Sequence, residues 1–295
     1  MNTLRISGTP GVLPEGPIWD HRTDALLWVD INAGTLLRWT AGQPVEIVCS
    51  DPDYISWVWL ADGGNLVVAG GSGIRIVSGD GQHVAAVAGA PAIEPSLRFN
   101  DGGVDSRGRM LIGTMARSSA LFSSPLGCLF RIDGAGCCEV LVEGLTISNG
   151  LGWSPDGEVL YLVDSMRHRI LAIPYGSADW PVHADTCEAF SVPDEFGVPD
   201  GLCVGSDGTL RVAAILGGRI LEITPKGTIA RSIELPATCP TSCCFGGAKM
   251  DTLFITTSTH LLEPDHCESL AGHVLALSGE GHGPHITEFK SGIGK

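Results

Sequence analysis

Positive charge is scarce in this chain: its 295 residues carry 18 lysines and arginines against 33 aspartates and glutamates, a formal net charge of −15. Such a surface repels phosphate backbones and anionic headgroups, so neither nucleic acid nor a membrane is an expected partner. Long apolar runs are missing too. Nothing approaches the ~18 residues of a membrane helix, and the opening MNTLRISGTPGVLPEG lacks an apolar core of signal-peptide length. The expectation is a soluble protein of the cytoplasm. Ten cysteines are present, yet none are spaced CxxC, and two pairs, Cys137–Cys138 and Cys243–Cys244, are adjacent. That pattern fits neither a zinc site nor a disulfide framework, and the thiols are expected to be reduced and packed. GxSxG, the P-loop, GxGxxG, the EF-hand loop, HExxH and HxH are all absent. Serine-hydrolase, nucleotide-binding and helix-loop calcium chemistry therefore find no support. His260, His266 and His273 gather near the C-terminus and are read as loop or packing residues.

What the chain has in excess is glycine, 40 residues, beside a hydrophobic fraction of 44% that argues against disorder. Its turns recur with a period. The segment NGLGWSPDGEVLYLVDSMRHRILAI from Asn149 reads as an apolar strand, a Pro-Asp-Gly turn, a strand of alternating branched and aromatic residues, and a third short strand. Related copies begin at Glu15, Ile55, Asn100, Asp200 and Thr241. The apolar residues that precede the turns, Trp19, Trp59, Val104, Trp153, Val204 and Phe245, are spaced by 40, 45, 49, 51 and 41 residues. No window has convincing helical periodicity. One period over the whole chain predicts an all-β fold, a six-bladed β-propeller forming a single domain over 1–295.

Four residues before each of these anchors stand Glu15, Ile55, Asn100, Asn149, Asp200 and Thr241. In a propeller the innermost strands surround a central channel, so one repeat position lies at one height, and Glu15, Asn100, Asn149 and Asp200 should converge at one mouth. An Asn or Asp before Gly is also a turn former. A glutamate at the same offset has no turn role, which favours a shared site. Two carboxylates with amide oxygens suit one divalent metal ion in the channel: calcium, magnesium or manganese, with zinc and iron left open. Gly16, Gly150 and Gly201 follow three of these positions and are expected to let a ligand approach the backbone. Arg98 is a candidate for the same mouth, where a guanidinium would hold a carbonyl or an oxyanion; the other reading is a surface arginine.

The stretches EGPIWD (15–20), RFNDGGVDSRGRMLIGTM (98–115), ISNGLGWSPDG (147–157) with LYLVDS (160–165), PDGLCVGSDGTL (199–210) and TSCCFGG (241–247) stand in an ordered series. In them the chain resembles the senescence marker protein (regucalcin), gluconolactonase and luciferin-regenerating enzyme family. The resemblance implies a six-bladed propeller with one channel metal and a lactonase acting on a small-molecule sugar lactone. It places the metal on Glu15, Asn149 and Asp200, substrate contacts on Arg98 and Asn100, and the general base on Asp200. There is one departure. Animal members carry an acidic substrate contact shortly after GTMA, where this chain has Arg117-Ser118-Ser119. Trp59 is expected to fill blade two, and Trp57 is open between core and pocket wall. Two rivals stand beside the lactonase: hydrolysis of phosphoesters or phosphofluoridates in a similar metal pocket, and a calcium-binding protein without turnover. A monomer or small homo-oligomer is expected.

Overall fold

The computed structural model describes residues 3–6, 8–176, 179–262 and 268–293. Six sheets follow one another along the chain. Their innermost strands are Pro14–Asp20, Ile55–Leu60, Leu97–Val104, Ser148–Trp153, Val198–Val204 and Pro240–Gly246, in blades 1 to 6. Each inner strand touches that of the next blade, and blade 6 returns to blade 1, which closes the propeller. The N-terminal strand Thr3–Arg5 pairs with Val274–Ser278 and supplies the outermost strand of blade 6. Blade 3 gains a fifth strand, Val182–His183, parallel to Cys138–Leu145. The repeat did not signal that addition.

Blade packing follows from the two-residue period of a strand with both faces covered. Every residue of Ala25–Asp30 is buried. Leu26 and Trp28 face Leu253 and Phe254 of blade 6, while Leu27 and Val29 face Ile55 and Leu60 of blade 2. The helices of the described residues are single 3-10 turns, and none is long and apolar enough to cross a membrane. The described cysteines are free thiols, with Cys203 and Cys243 in contact at 3.6 Å between blades 5 and 6.

One feature is shared by all six inner strands. Each slips register once, between Glu15 and Ile18, Ile55 and Trp57, Phe99 and Gly102, Ser148 and Leu151, Pro199 and Leu202, or Pro240 and Ser242. Each slip is a β-bulge with one residue more than its partner strand, a device that re-aims a side chain. Past the last strand of blade 6, the C-terminal segment runs across the face remote from these bulges. Its anchors are His282 O, which accepts from Ser206 N at 2.8 Å, Thr287 O, which accepts from Trp59 Nε1 at 2.8 Å, and Lys290 N, which donates to Gly108 O at 3.0 Å.

Blades 3 and 4 are also joined by a buried charge. Asp105 accepts from Arg107 N and Arg109 N at 2.9 Å each, from Arg109 Nε at 2.7 Å and from Tyr175 Oη at 2.9 Å. Burial opposes its ionisation, but these donors prevail and hold the carboxyl below its ordinary range. A lowered folded-state value means stability that is fully present above the unfolded pKa of about 4 and is lost as pH falls through the lowered one. Asp105→Asn is therefore expected to cost ~2 kcal/mol at neutral pH and to flatten part of the acid limb of stability below pH ~4. Urea titrations across that range check it; an acid limb identical to that of the parent protein would show that Asp105 carries none of it.

Candidate functional site

The bulges bring the polar residues of blades 1, 3, 4 and 5 to one end of the channel. Arg98 Nη1 donates to Asn100 Oδ1 at 2.7 Å and to Phe99 O at 2.9 Å. Asn100 Nδ2 reaches into blade 4, to Ser148 O at 3.0 Å and Asn149 Oδ1 at 3.3 Å. Asn149 Nδ2 in turn donates to Ser165 Oγ at 3.1 Å and to Asp200 Oδ1 in blade 5. A continuous chain of hydrogen bonds thus links Arg98, Asn100, Asn149 and Asp200. Glu15 joins electrostatically from blade 1. Burial pushes its carboxyl well above the ordinary range, and the charges of Asp200 and Asp101 push it further, while Gly16 N–H and Arg98 pull it down. Asp200 is raised for the same first reason and by Asp101, against the Asn149 amide and Arg98.

At the shared offset the other two blades add no member to this chain of hydrogen bonds. Ile55 is fully buried core. Thr241 ties blade 6 to blade 1, donating from Oγ1 to Pro14 O at 2.6 Å. Among the described residues no three His, Cys, Asp or Glu side chains are arranged to hold a metal. The candidate set is of another kind: two carboxylates, Glu15 and Asp200, and the amide oxygens of Asn149 and Asn100. All are oxygen donors, and the two acids are buried near like charge with Arg98 as the cation that lowers both. That donor chemistry fits a hard divalent cation.

The glycines after the site positions have a different purpose from the one expected. A Cβ on Gly150 would lie 2.1 Å from Leu202 N, and one on Gly201 would lie 2.1 Å from Ser242 Oγ. Both are small so that the next blade can pack closely. Gly16 has φ +49 with open space around it, so the need there is backbone conformation.

Two residues at the site have no repeat signal. Tyr54 accepts a hydrogen bond from Phe99 N at 3.2 Å and lies between two guanidinium groups, Arg98 at 6.0 Å and Arg117 at 5.0 Å from the ring centroid. Arg117 also pairs with Asp53 at 3.0 Å. The position at which animal relatives are expected to present an acid is thus next to an exposed arginine engaged with blade 2. Asp101, one residue past Asn100, accepts from Gly102 N at 2.7 Å. Burial pushes its carboxyl up to about 6. Of the histidines, His260 contacts Asn32 at 3.1 Å on the surface, His273 is buried, and His266 lies outside the described residues.

The anchors Trp19, Trp59, Val104, Trp153, Val204 and Phe245 line the other half of the channel, and Trp59 also packs against the cores on both sides of blade 2, the role expected of it. Trp57 lines it too and stacks on Trp59, with ring centroids 6.0 Å apart.

Together these features define a propeller with an oxygen-rich mouth at one end of its channel. Residues 13–259 match the SMP-30/Gluconolactonase/LRE-like region, and the chain belongs to that family. It is 31% identical to regucalcin of Xenopus laevis over 254 residues, 85% of each chain. Among solved structures it is similar to luciferin-regenerating enzyme, with a TM-score of 0.84, 27% identity, and coverage of 98% of this chain and 99% of that one. It shares the fold of a calcium-binding protein, regucalcin, from Agrobacterium tumefaciens, with a TM-score of 0.87, 22% identity, and coverage of 97% and 96%.

Proposed function

We propose that the protein opens a sugar-acid lactone to its aldonic acid in a reaction that depends on one divalent metal ion held by Glu15, Asn149 and Asp200. The observation that supports this most is the hydrogen-bonded series from Arg98 through Asn100 and Asn149 to Asp200, with Glu15 beside it, in a member of a family that includes gluconolactonases. A bound divalent ion would supply Lewis-acid polarisation of the lactone carbonyl.

The chain's own residues do the rest. Asp200 takes the proton of the attacking water at a carboxylate oxygen. Asn149 orients it, donating to Oδ1 while Ser165 holds the same amide from behind. Arg98 and Asn100 face the substrate, and Arg98 adds positive charge where oxyanion character develops. Tyr54 keeps Arg98 in place from below.

A second reading rests on the calcium-binding regucalcin that shares this fold: binding without turnover. A pH-indicator assay on pentono- and hexonolactones, run beside phosphotriesters and phosphofluoridates with each divalent ion, separates the readings. Lactone opening well above any phosphorus turnover is the expected result. Turnover of phosphorus esters alone, or of nothing with any ion, would overturn the lactonase.

A further inference from the structure

The channel has a second half with a different chemistry. Beyond the bulges its walls enclose a cavity of about 430 Å³. Glu15, Arg98, Asn100, Asn149 and Asp200 do not line it; Trp19, Trp57, Trp59, Trp153 and Phe245 do. The rim is formed by the hairpin turns Ser154–Gly157 and Gly205–Ser206 and by the C-terminal segment at Pro284–Thr287. Trp59 is fixed by its bond to Thr287 O, and Trp57 stacks on it with 17° between ring planes. Such a volume, with four tryptophans of the inner strands in its wall, is in the ~300–1,000 Å³ range of small-molecule sites.

Charge decides what would enter. Among the described residues the wall contains no lysine or arginine; its basic side chain is His285, edge-on to His21 at the rim, and its acidic side chains are Asp101 at the inner end and Asp156 at the rim. One Asp101 oxygen is engaged by Gly102 N; the other accepts no hydrogen bond from the described residues. An aldonate, the anionic product proposed for the opposite end, would meet two carboxylates here. A cation would meet indole faces, which attract positive charge through the ring quadrupole, and the second oxygen of the Asp101 carboxylate.

We propose that this lower cavity is a second binding site, for an organic ammonium ion: an amine or quaternary ammonium group carried on an apolar body. Trp59 and Trp153, the partly exposed indoles of the wall, receive the body and the cationic head, and Asp101 supplies the counter-charge.

The test uses benzyltrimethylammonium as probe and its uncharged carbon analogue, 2,2-dimethylpropylbenzene, as the matched neutral molecule. Binding to the full chain is followed by tryptophan fluorescence and calorimetry, with and without saturating calcium. The expected result is one saturable site per chain that prefers the cation by about tenfold or more. Asp101→Asn should remove most of that preference, and Trp153→Leu, at a partly exposed wall position, should weaken both ligands. Glu15→Gln should lower probe affinity far less than Asp101→Asn does, because Glu15 does not line this cavity. Equal affinity for the two molecules, a preference that survives Asp101→Asn, or competition by calcium together with loss in Glu15→Gln would each overturn the proposal, the last by moving the cation to the polar mouth.

Discussion

Asp200→Asn is expected to lower lactone turnover by ~10²–10⁴-fold at saturating metal, the range typical of a lost general base. The substitution keeps an oxygen facing the site and the contact with the Asn149 side chain, but removes basicity and one negative charge. Glu15→Gln is the matched control. It removes the same unit of charge from the same cluster without touching the proposed base, so excess metal should restore most of its activity. Steady-state kinetics over a metal titration separate the two. If metal rescues both variants equally, Asp200 is a ligand only, and Asp101, whose carboxyl is pushed up to about 6, becomes the candidate base.

Arg98→Ala is expected to lower kcat/KM by ~10²–10³-fold, the cost of losing one donor aimed at a developing oxyanion. Metal affinity should not fall. Arg98 carries positive charge into the same cluster that attracts the ion, and its removal relieves repulsion of that ion. The side chain also fixes Asn100 through the 2.7 Å bond to Oδ1, so part of the loss will appear as a raised KM. Calorimetric metal titration beside kinetics checks this. Parallel loss of metal affinity would place Arg98 in the support of the ligands, and unchanged kcat/KM would remove it from the site.

The propeller was legible because every blade repeats the same inner strand and turn, and because six copies of one unit leave little room for another topology. The offset that selected Glu15, Asn100, Asn149 and Asp200 worked for a physical reason: all six inner strands bulge at the same step, so equivalent residues turn toward the same end of the channel. The bulges themselves left no separate mark in the sequence. Gly150 and Gly201 were read as room for a ligand, whereas a side chain there would collide with the next blade. Tyr54 escaped notice because blade 2 has Ile55 at the shared offset, and the tyrosine lies one residue earlier. The tryptophan anchors gave the correct period and the packing role read for Trp59, but not their second role as the wall of a cavity. Hydrophobicity alone does not distinguish a wall between blades from a wall around a cavity, and that distinction depends on how wide six packed blades hold the channel open.

The central claim is that the polar mouth holds one divalent ion on which lactone hydrolysis depends. Its most direct test is stepwise addition of a divalent ion to chelator-stripped protein, with bound metal and initial lactone rate measured at each step. The account predicts negligible rate without metal, a linear rise, and a plateau at one ion per chain, with Asn149→Ala shifting the plateau to higher metal concentration. Full lactone turnover in the stripped protein, or one tightly bound ion in the Glu15→Gln, Asn149→Ala double variant, would contradict it.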